Sequence, residues 1–119
     1  MDEQKTVKYK SKQFAIRIVR FVRYLQEEKR CYYDLVRQIL KSGTSIGANV
    51  SESQNAQSRE DFVHKLSIAL KEADETAYWL DILYGAEIIE QREFESLRDD
   101  LREIIALLIS IIKTSKVEI

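Results

Sequence analysis

The sequence predicts an all-α protein that folds as one domain over residues 1–119, an antiparallel up-down-up-down four-helix bundle. Three observations predict this fold class. Apolar residues recur three and four positions apart in four successive segments, no segment alternates as a strand would, and proline is absent. Without proline, no backbone donor is lost from a long helix. We expect the ends, residues 1–7 and 114–119, to fray.

The first two helices are predicted from about Lys8 to Glu28 and from about Tyr32 to Gln54. Helical spacing defines a core face on each. On the first helix this face consists of Phe14, Ile18, Phe21, Val22 and Leu25. On the second it consists of Leu35, Val36, Ile39, Leu40, Gly43, Ile46, Gly47 and Val50.

The third helix is predicted to begin after Ser58, because Ser58 and Asp61 have the spacing of a capping box. It should end near Tyr84, before a break around residues 85–90. The fourth helix is expected from about Gln91 to Lys113. Its apolar residues alternate four and three apart, which favours a crossing angle of roughly 20°. They are Leu97, Leu101, Ile104, Leu108 and Ile111.

Composition excludes several classes of protein. One cysteine, Cys31, permits no internal disulfide and fits the cytoplasm, and the longest apolar run is far too short to span a membrane. The net charge of −1 is unevenly distributed. Residues 1–41 carry 11 Lys/Arg and 5 Asp/Glu, whereas residues 42–119 carry 8 and 15. This asymmetry permits an anionic partner or head-to-tail charge complementarity between subunits.

Gly43 and Gly47 lie inside the second helix, where each costs about 1 kcal/mol relative to alanine. We expect that cost to be offset by close packing of a neighbouring helix, the third, through Ala69 and Ala73. A hinge or the close approach of a ligand is the alternative.

A line of polar residues runs beside these glycines and is expected to meet two carboxylates of the third helix. Carboxylates beside apolar neighbours need hydrogen-bond partners. A satisfied network that fixes helix register is one interpretation, and a ligand or catalytic site is the other. The predicted polar seam consists of Ser42, Ser45, Asn49, Glu52, Glu72 and Glu75.

No catalytic, metal or cofactor site is predicted. The only histidine, His64, lies on a polar face, and Glu72-x-x-Glu75 lacks the histidine of a di-metal bundle. Cys31 stands beside Lys29 and Arg30, whose charges could lower its pKa. A lone cysteine at a helix junction is more often inert, and we expect a protein that is not an enzyme.

A basic face on the first helix is the best functional lead. Four cations are spaced to meet a phosphate backbone, and Tyr24 could stack on a base of RNA or DNA. The alternative is a solvated face with local pairs such as Arg23–Glu27. The candidate residues are Lys10, Arg17, Arg20, Arg23 and Tyr24, with the charge extended by Lys5, Lys8 and Lys12.

Trp79, Ile68 and Ile82 project away from the core face of the third helix, and Tyr32 and Tyr33 open the second. Surplus apolar surface of this kind marks an interface in many small bundles. Burial against a neighbouring helix is the competing interpretation.

One set of segments carries a resemblance to known proteins. It consists of Ser42 to Glu52, Ser58 to Phe62, Lys65 to Ala73, Glu75, Thr76, Tyr78 to Leu80, and Ile111 to Lys116. Together these segments resemble the four-helix-bundle proteins encoded within intervening sequences of bacterial 23S ribosomal RNA genes. The central block of this set is specific, and Ser51 and Ser53 depart mildly from the pattern of many relatives.

The resemblance implies a left-handed bundle and, as in some members, a homo-oligomeric ring of five subunits. It also implies a nucleic-acid role, because a related protein partners a reverse transcriptase and contacts nucleic acid through a basic surface. No activity is established for the family. We therefore expect a non-enzymatic oligomer associated with structured RNA or DNA, or alternatively a scaffold for another protein.

Overall fold

The computed structural model describes residues 2–117, and in this part of the chain every regular element is helical. A single 3-10 turn, Glu3–Lys5, precedes four long helices. These are α1 (Val7–Glu27), α2 (Tyr33–Ser53), α3 (Arg59–Gly85) and α4 (Gln91–Val117). The predicted all-α, up-down-up-down architecture is confirmed, since each helix contacts its sequence neighbour and α4 also contacts α1.

The helix boundaries lie close to those expected, except at the end of α4. That helix continues to Val117, beyond the predicted end at Lys113, while the predicted fraying of this end stays a prediction. Residues 3–5 likewise form a turn. The predicted fraying of residues 1 and 118–119 falls outside the described residues.

Side-chain caps define the starts of α1 and α3. The Thr6 hydroxyl accepts the Tyr9 backbone N–H at 3.1 Å, and the Ser58 hydroxyl accepts that of Asp61 at 3.0 Å. Asp61 reaches back as the capping box predicts, but its carboxylate accepts the N–H of Gln57, one residue earlier.

Two non-glycine residues with positive φ terminate α1 and α3. Arg30 has φ 49° and Glu87 has φ 62°. At the end of α3 the N–H groups of Glu87 and Ile88 donate to the carbonyls of Tyr84 and Leu83, which is the hydrogen-bond pattern of a Schellman motif. The positive φ at these two positions could not be predicted from the sequence, because neither residue is glycine or asparagine.

The core runs the length of the bundle, and all four helices contribute to it. Ile18, Ile39, Leu80 and Leu108 are fully buried near its axis. Among residues 2–116, the buried polar side chains are those of Ser11, Ser42, Ser53 and Thr76.

The two glycines of α2 lie at a close approach of helices, but the neighbour is α1 and the expected contact with α3 is wrong. A Cβ on Gly43 would lie 2.8 Å from two side-chain carbons of Ile18. A Cβ on Gly47 would lie 3.0 Å from the Ser11 carbonyl oxygen. Successive helix residues point about 100° apart. The side of α2 that carries Ser42 therefore faces α3, while the glycines face α1.

The order of the helices around the bundle places α1 and α3 on one diagonal. Each of them contacts α2 and α4, and in the described part of the chain they make no backbone contact with each other. The α1–α4 interface is the least extensive of the four neighbouring pairs. An open groove of about 490 Å³ lies along it.

Candidate interaction surfaces

The predicted basic face of α1 divides into two groups of cations. Lys10 and Arg17 turn toward α4, where Lys10 pairs with Glu103. The Arg17 guanidinium donates to Asp100 Oδ2 at 2.6 Å and to Ser96 Oγ at 2.7 Å. The charges of these two residues are therefore already matched within the subunit.

These ion pairs lie in the groove between α1 and α4. Its walls combine Phe14 and Ile104 from the edge of the core with the paired charges and with Arg20. Because the groove is open to solvent and Lys10 and Arg17 are paired with carboxylates of α4, it is a surface feature and not an enclosed binding cavity.

Tyr24 contacts residues of its own chain. Its ring is half-buried against the core, and Lys29 Nζ lies 5.8 Å from the ring centroid. A cation over an aromatic face at this distance is a cation–π contact. The predicted stacking of this ring on a base stays a prediction.

The second group of cations is exposed on the side of α1 that points away from the bundle. Arg20 and Arg23 belong to it, together with Lys12, and two apolar residues, Ile16 and Val19, lie among them with 38% and 44% exposure. We call these five residues the α1 outer face. None of its cations forms an ion pair with any residue in the range 2–116.

A second outward surface lies on α3, at the opposite end of the diagonal. Tyr78 and Ile82 are exposed by 56% and 38%, and the carboxylates of Asp74, Glu75 and Asp81 surround them. We call these five residues the α3 outer face.

Trp79 borders the α3 outer face and is half-buried, as is Ile68. The Trp79 indole N–H donates to Glu75 Oε2 at 3.2 Å, and its ring meets that of Tyr78 edge-on at 5.2 Å. Burial against the bundle thus holds for Trp79, which packs against the core, whereas Ile82, Tyr32 and Tyr33 are exposed, and their predicted role in an interface stays a prediction.

The predicted polar seam is not one network. Its innermost member, Ser42, is buried and accepts a hydrogen bond from the Thr76 hydroxyl at 2.9 Å. This contact joins α2 to α3 inside the core. Thr76 was not among the predicted seam residues, although it lies one turn beyond Glu72 on the side of α3 that faces α2.

Of the remaining α2 members of the seam, two bond within their own helix and one pairs with α3. Ser45 donates to the Lys41 carbonyl at 2.6 Å, and Asn49 donates to the Ser45 carbonyl at 2.8 Å. Glu52 pairs with Lys65 of α3 at 3.2 Å. The expected bonds from Asn49 and the serines to Glu72 and Glu75 are absent from the described residues, because these short side chains reach their own helix carbonyls first.

Glu72 carries the perturbed carboxyl of the seam. Burial raises its pKa, the neighbouring charge of Glu75 raises it further, and Lys41 opposes both effects. The side chain is half-buried and has no hydrogen-bond donor of its own in the seam. It is therefore a mildly destabilised carboxylate at neutral pH.

Cys31 and His64, the residues considered above for catalysis or metal binding, are not part of any cluster of metal-ligating side chains in the described residues. The expected lowering of the Cys31 pKa is wrong: burial raises the pKa of this thiol, and a hydrogen bond from the Tyr32 backbone offsets only part of the effect. His64 is exposed. No group of three His, Cys, Asp or Glu side chains converges anywhere in the described range, and no helix there is long and apolar enough to cross a membrane.

Two features of the surfaces escaped sequence reasoning. Asp100 and Glu103 were not recognised as partners of the α1 cations, although carboxylates three apart beside an antiparallel basic helix could have suggested it. Ile16 and Val19 were not predicted as part of a surface either, although two apolar residues three apart among the cations of α1 could have indicated it.

The fold and these surfaces define a class of protein, a small four-helix bundle with charged and apolar outer faces. The chain belongs to the family of 23S rRNA-intervening sequence proteins, whose family model matches residues 3–110. The resemblance noted from the central block is thus confirmed.

A solved relative supports the same assignment. The chain is 53% identical to a protein of unknown function from the S23 ribosomal protein family of Bacteroides thetaiotaomicron, whose crystal structure was determined at 1.70 Å. The match covers 91% of this chain and 99% of the relative, with a TM-score of 0.88. No match was found among curated proteins.

Proposed function

We propose that the protein is a non-enzymatic homo-oligomer, a helical scaffold whose subunits bind one another through their outer helix faces. The observation that carries this proposal is the presence of exposed apolar side chains on two helices across one diagonal. Ile16 and Val19 lie on α1, and Tyr78 and Ile82 lie on α3. Clustered apolar side chains with a charged rim are typical of protein–protein interfaces.

The composition of α3 supports the proposal. A helix of a monomeric bundle has one apolar stripe and a polar outer side. On α3, by contrast, apolar residues surround the helix, with Leu66 and Leu80 in the core, Leu70 and Trp79 half-buried at its flanks and Ile82 exposed. A helix that is apolar on all sides is more stable when its outer side is also covered.

Light scattering coupled to size exclusion, followed by sedimentation over a concentration series, tests this proposal. We expect a mass that is a multiple of the 14.0 kDa subunit. The ring of five that occurs in some members of the family would give about 70 kDa. A monomer at every concentration up to the millimolar range would refute the proposal.

A second candidate function, association with nucleic acid, is favoured by a separate observation. Arg20 and Arg23 with Lys8 and Lys12 are exposed along α1, and none is paired within the range 2–116. At 1.5 Å per residue they extend over roughly 22 Å. Lys10 and Arg17 contribute less than the sequence suggested, because carboxylates of α4 already pair with them.

Binding of structured RNA, measured by fluorescence anisotropy at several salt concentrations, tests this candidate. We expect Arg20→Glu with Arg23→Glu to weaken binding at least tenfold and to flatten its salt dependence, since each lost phosphate contact reduces the slope. The matched control is Arg102→Glu with Lys113→Glu, which reverses two exposed charges on α4. Equal binding by both double variants would exclude the basic face as the nucleic-acid site.

A further inference from the structure

We infer that the subunits of the proposed oligomer bind head to tail, with the α1 outer face of one subunit seated on the α3 outer face of the next. This inference rests on the proposed self-association and specifies the two surfaces that meet. Its partner is therefore a second copy of this chain.

Charge complementarity carries the inference. Helix α1 contains six Lys/Arg and one Asp/Glu, whereas α3 contains three Lys/Arg and six Asp/Glu. On α1 the cations flank Ile16 and Val19, and on α3 the carboxylates flank Tyr78 and Ile82. The two faces thus share an apolar centre and carry rims of opposite sign, so that contact buries apolar surface while the rim charges attract each other.

Pairing of like faces is disfavoured by the same charges. A two-fold contact through α1 would bring the cations of Lys12, Arg20 and Arg23 against their own copies. A two-fold contact through α3 would do the same with Asp74, Glu75 and Asp81. Like charges placed together across an interface are costly, so the favourable contact joins unlike faces.

The geometry of the bundle gives this pairing a further consequence. Since α1 and α3 lie on one diagonal without contacting each other, their outer faces point in opposite directions. A subunit therefore uses two different neighbours, one for each face. Head-to-tail contacts of this kind produce a ring when the rotation between subunits closes, and a filament when it does not.

A charge-swap experiment on the full chain tests the inference. The α1 variant carries Arg20→Glu and Arg23→Glu, the α3 variant carries Asp74→Lys and Asp81→Lys, and the combined variant carries all four. We expect each double variant to run as the 14.0 kDa monomer. The combined variant, in which unlike charges face each other again, should recover the wild-type mass.

The controls separate assembly from folding. Far-UV circular dichroism should show native helicity in all variants, because the four positions are exposed. The Arg102→Glu/Lys113→Glu variant should retain the wild-type mass. Given a wild type that assembles, the inferred pairing is wrong if the double variants also assemble or if the combined variant stays monomeric. Either result leaves the proposed homo-oligomer intact. A monomeric wild type would instead refute the proposed function.

Disulfide trapping supplies an independent measurement. In a Cys31→Ser background, Val19→Cys together with Ile82→Cys should give a ladder of covalent oligomers on mild oxidation, since every subunit offers both faces. Each single cysteine should give no product larger than a dimer. If the double-cysteine protein assembles but forms no ladder of covalent oligomers on oxidation, the inference is wrong.

The nucleic-acid candidate predicts a different pattern for the same variants. If the α1 cations serve RNA only, the α1 variant loses RNA binding, the α3 variant keeps it, and the combined variant does not regain it. Recovery of assembled mass in the combined variant would assign the α1 outer face to the subunit contact.

Discussion

Gly47 of α2 lies against the main chain of Ser11 in α1, so closely that a Cβ at Gly47 would sit 3.0 Å from the Ser11 carbonyl oxygen. The neighbouring atom belongs to the backbone of a buried helix segment and has little freedom to move. Ser11 is itself small and fully buried. The α1–α2 contact therefore depends on the lack of a side chain on one helix and on a short side chain on the other.

The three glycines are expected to respond differently to alanine. Gly47→Ala should lower the free energy of unfolding by about 1–2 kcal/mol, because overpacking outweighs the gain in helix propensity. Gly43→Ala should also destabilise, since its Cβ would meet Ile18 at 2.8 Å. Gly85→Ala meets nothing within 4 Å and should stabilise by roughly 0.5–1 kcal/mol. Urea unfolding of the three variants checks the series, and a stabilising Gly47→Ala would contradict the close approach.

The buried hydroxyl pair Ser42–Thr76 predicts a coupling energy. Thr76→Val keeps the side-chain shape but leaves the Ser42 hydroxyl with only a 3.5 Å contact to the Ile39 carbonyl. We expect a loss of about 1–3 kcal/mol, the range for a buried group without its partner. Ser42→Ala added to Thr76→Val should cost less than the sum of the single changes. A double-mutant cycle by chemical denaturation measures this, and strict additivity would exclude the coupling.

Glu72 predicts a dependence of stability on pH. Its pKa is raised in the folded state, so the folded protein holds this proton more tightly than the unfolded chain does. Stability should therefore fall as the pH rises from the ordinary glutamate pKa of about 4.3 through the raised value. Glu72→Gln should be more stable than wild type at pH 7, and the difference should vanish near pH 4. Glu75→Gln should reduce this pH dependence, because the charge of Glu75 helps to raise the pKa of Glu72. If Glu72→Gln differed from wild type in stability by the same amount at pH 7 and at pH 4, the raised pKa of Glu72 would be contradicted.

The turn after α3 predicts a stabilising glycine. Glu87 adopts φ 62°, a conformation that costs an L-residue about 1–2 kcal/mol, less any local compensation. Glu87→Gly should raise the free energy of unfolding by about 1 kcal/mol. Ala86→Gly is the matched control, since Ala86 has φ −84° and gains nothing from the replacement. Thermal unfolding distinguishes them, and equal effects would mean that the strain at Glu87 is negligible.

Periodicity and capping were sufficient to predict the number, order and approximate bounds of the helices. The information is local, because a stripe of apolar residues and a cap such as Ser58 act within one helix. What could not be predicted was which neighbour each side of a helix would meet. That choice depends on rotation about the helix axis, and a small error in rotation assigned Gly43 and Gly47 to the wrong partner.

The same limit applies to the surfaces. The seam residues were placed correctly on one side of α2, but competition between backbone carbonyls and distant carboxylates decides where Asn49 and Ser45 donate. Likewise, the residues of a basic helix alone do not predict which of its cations form ion pairs with carboxylates of another helix. The presence of Asp100 opposite Arg17 follows from the tertiary packing of α4.

The open groove along α1 and α4 has one more consequence. Helix α4 is packed extensively against α3, whereas its interface with α1 is the least extensive of the bundle and includes ion pairs at the surface, which contribute little to stability. The last helix is thus the segment best placed to detach while the other three remain associated. Its amides should be the first to exchange with deuterium among those of the long helices. In that locally unfolded form, α4 can pack against the other three helices of a second subunit, and such an exchange of helices is a domain swap.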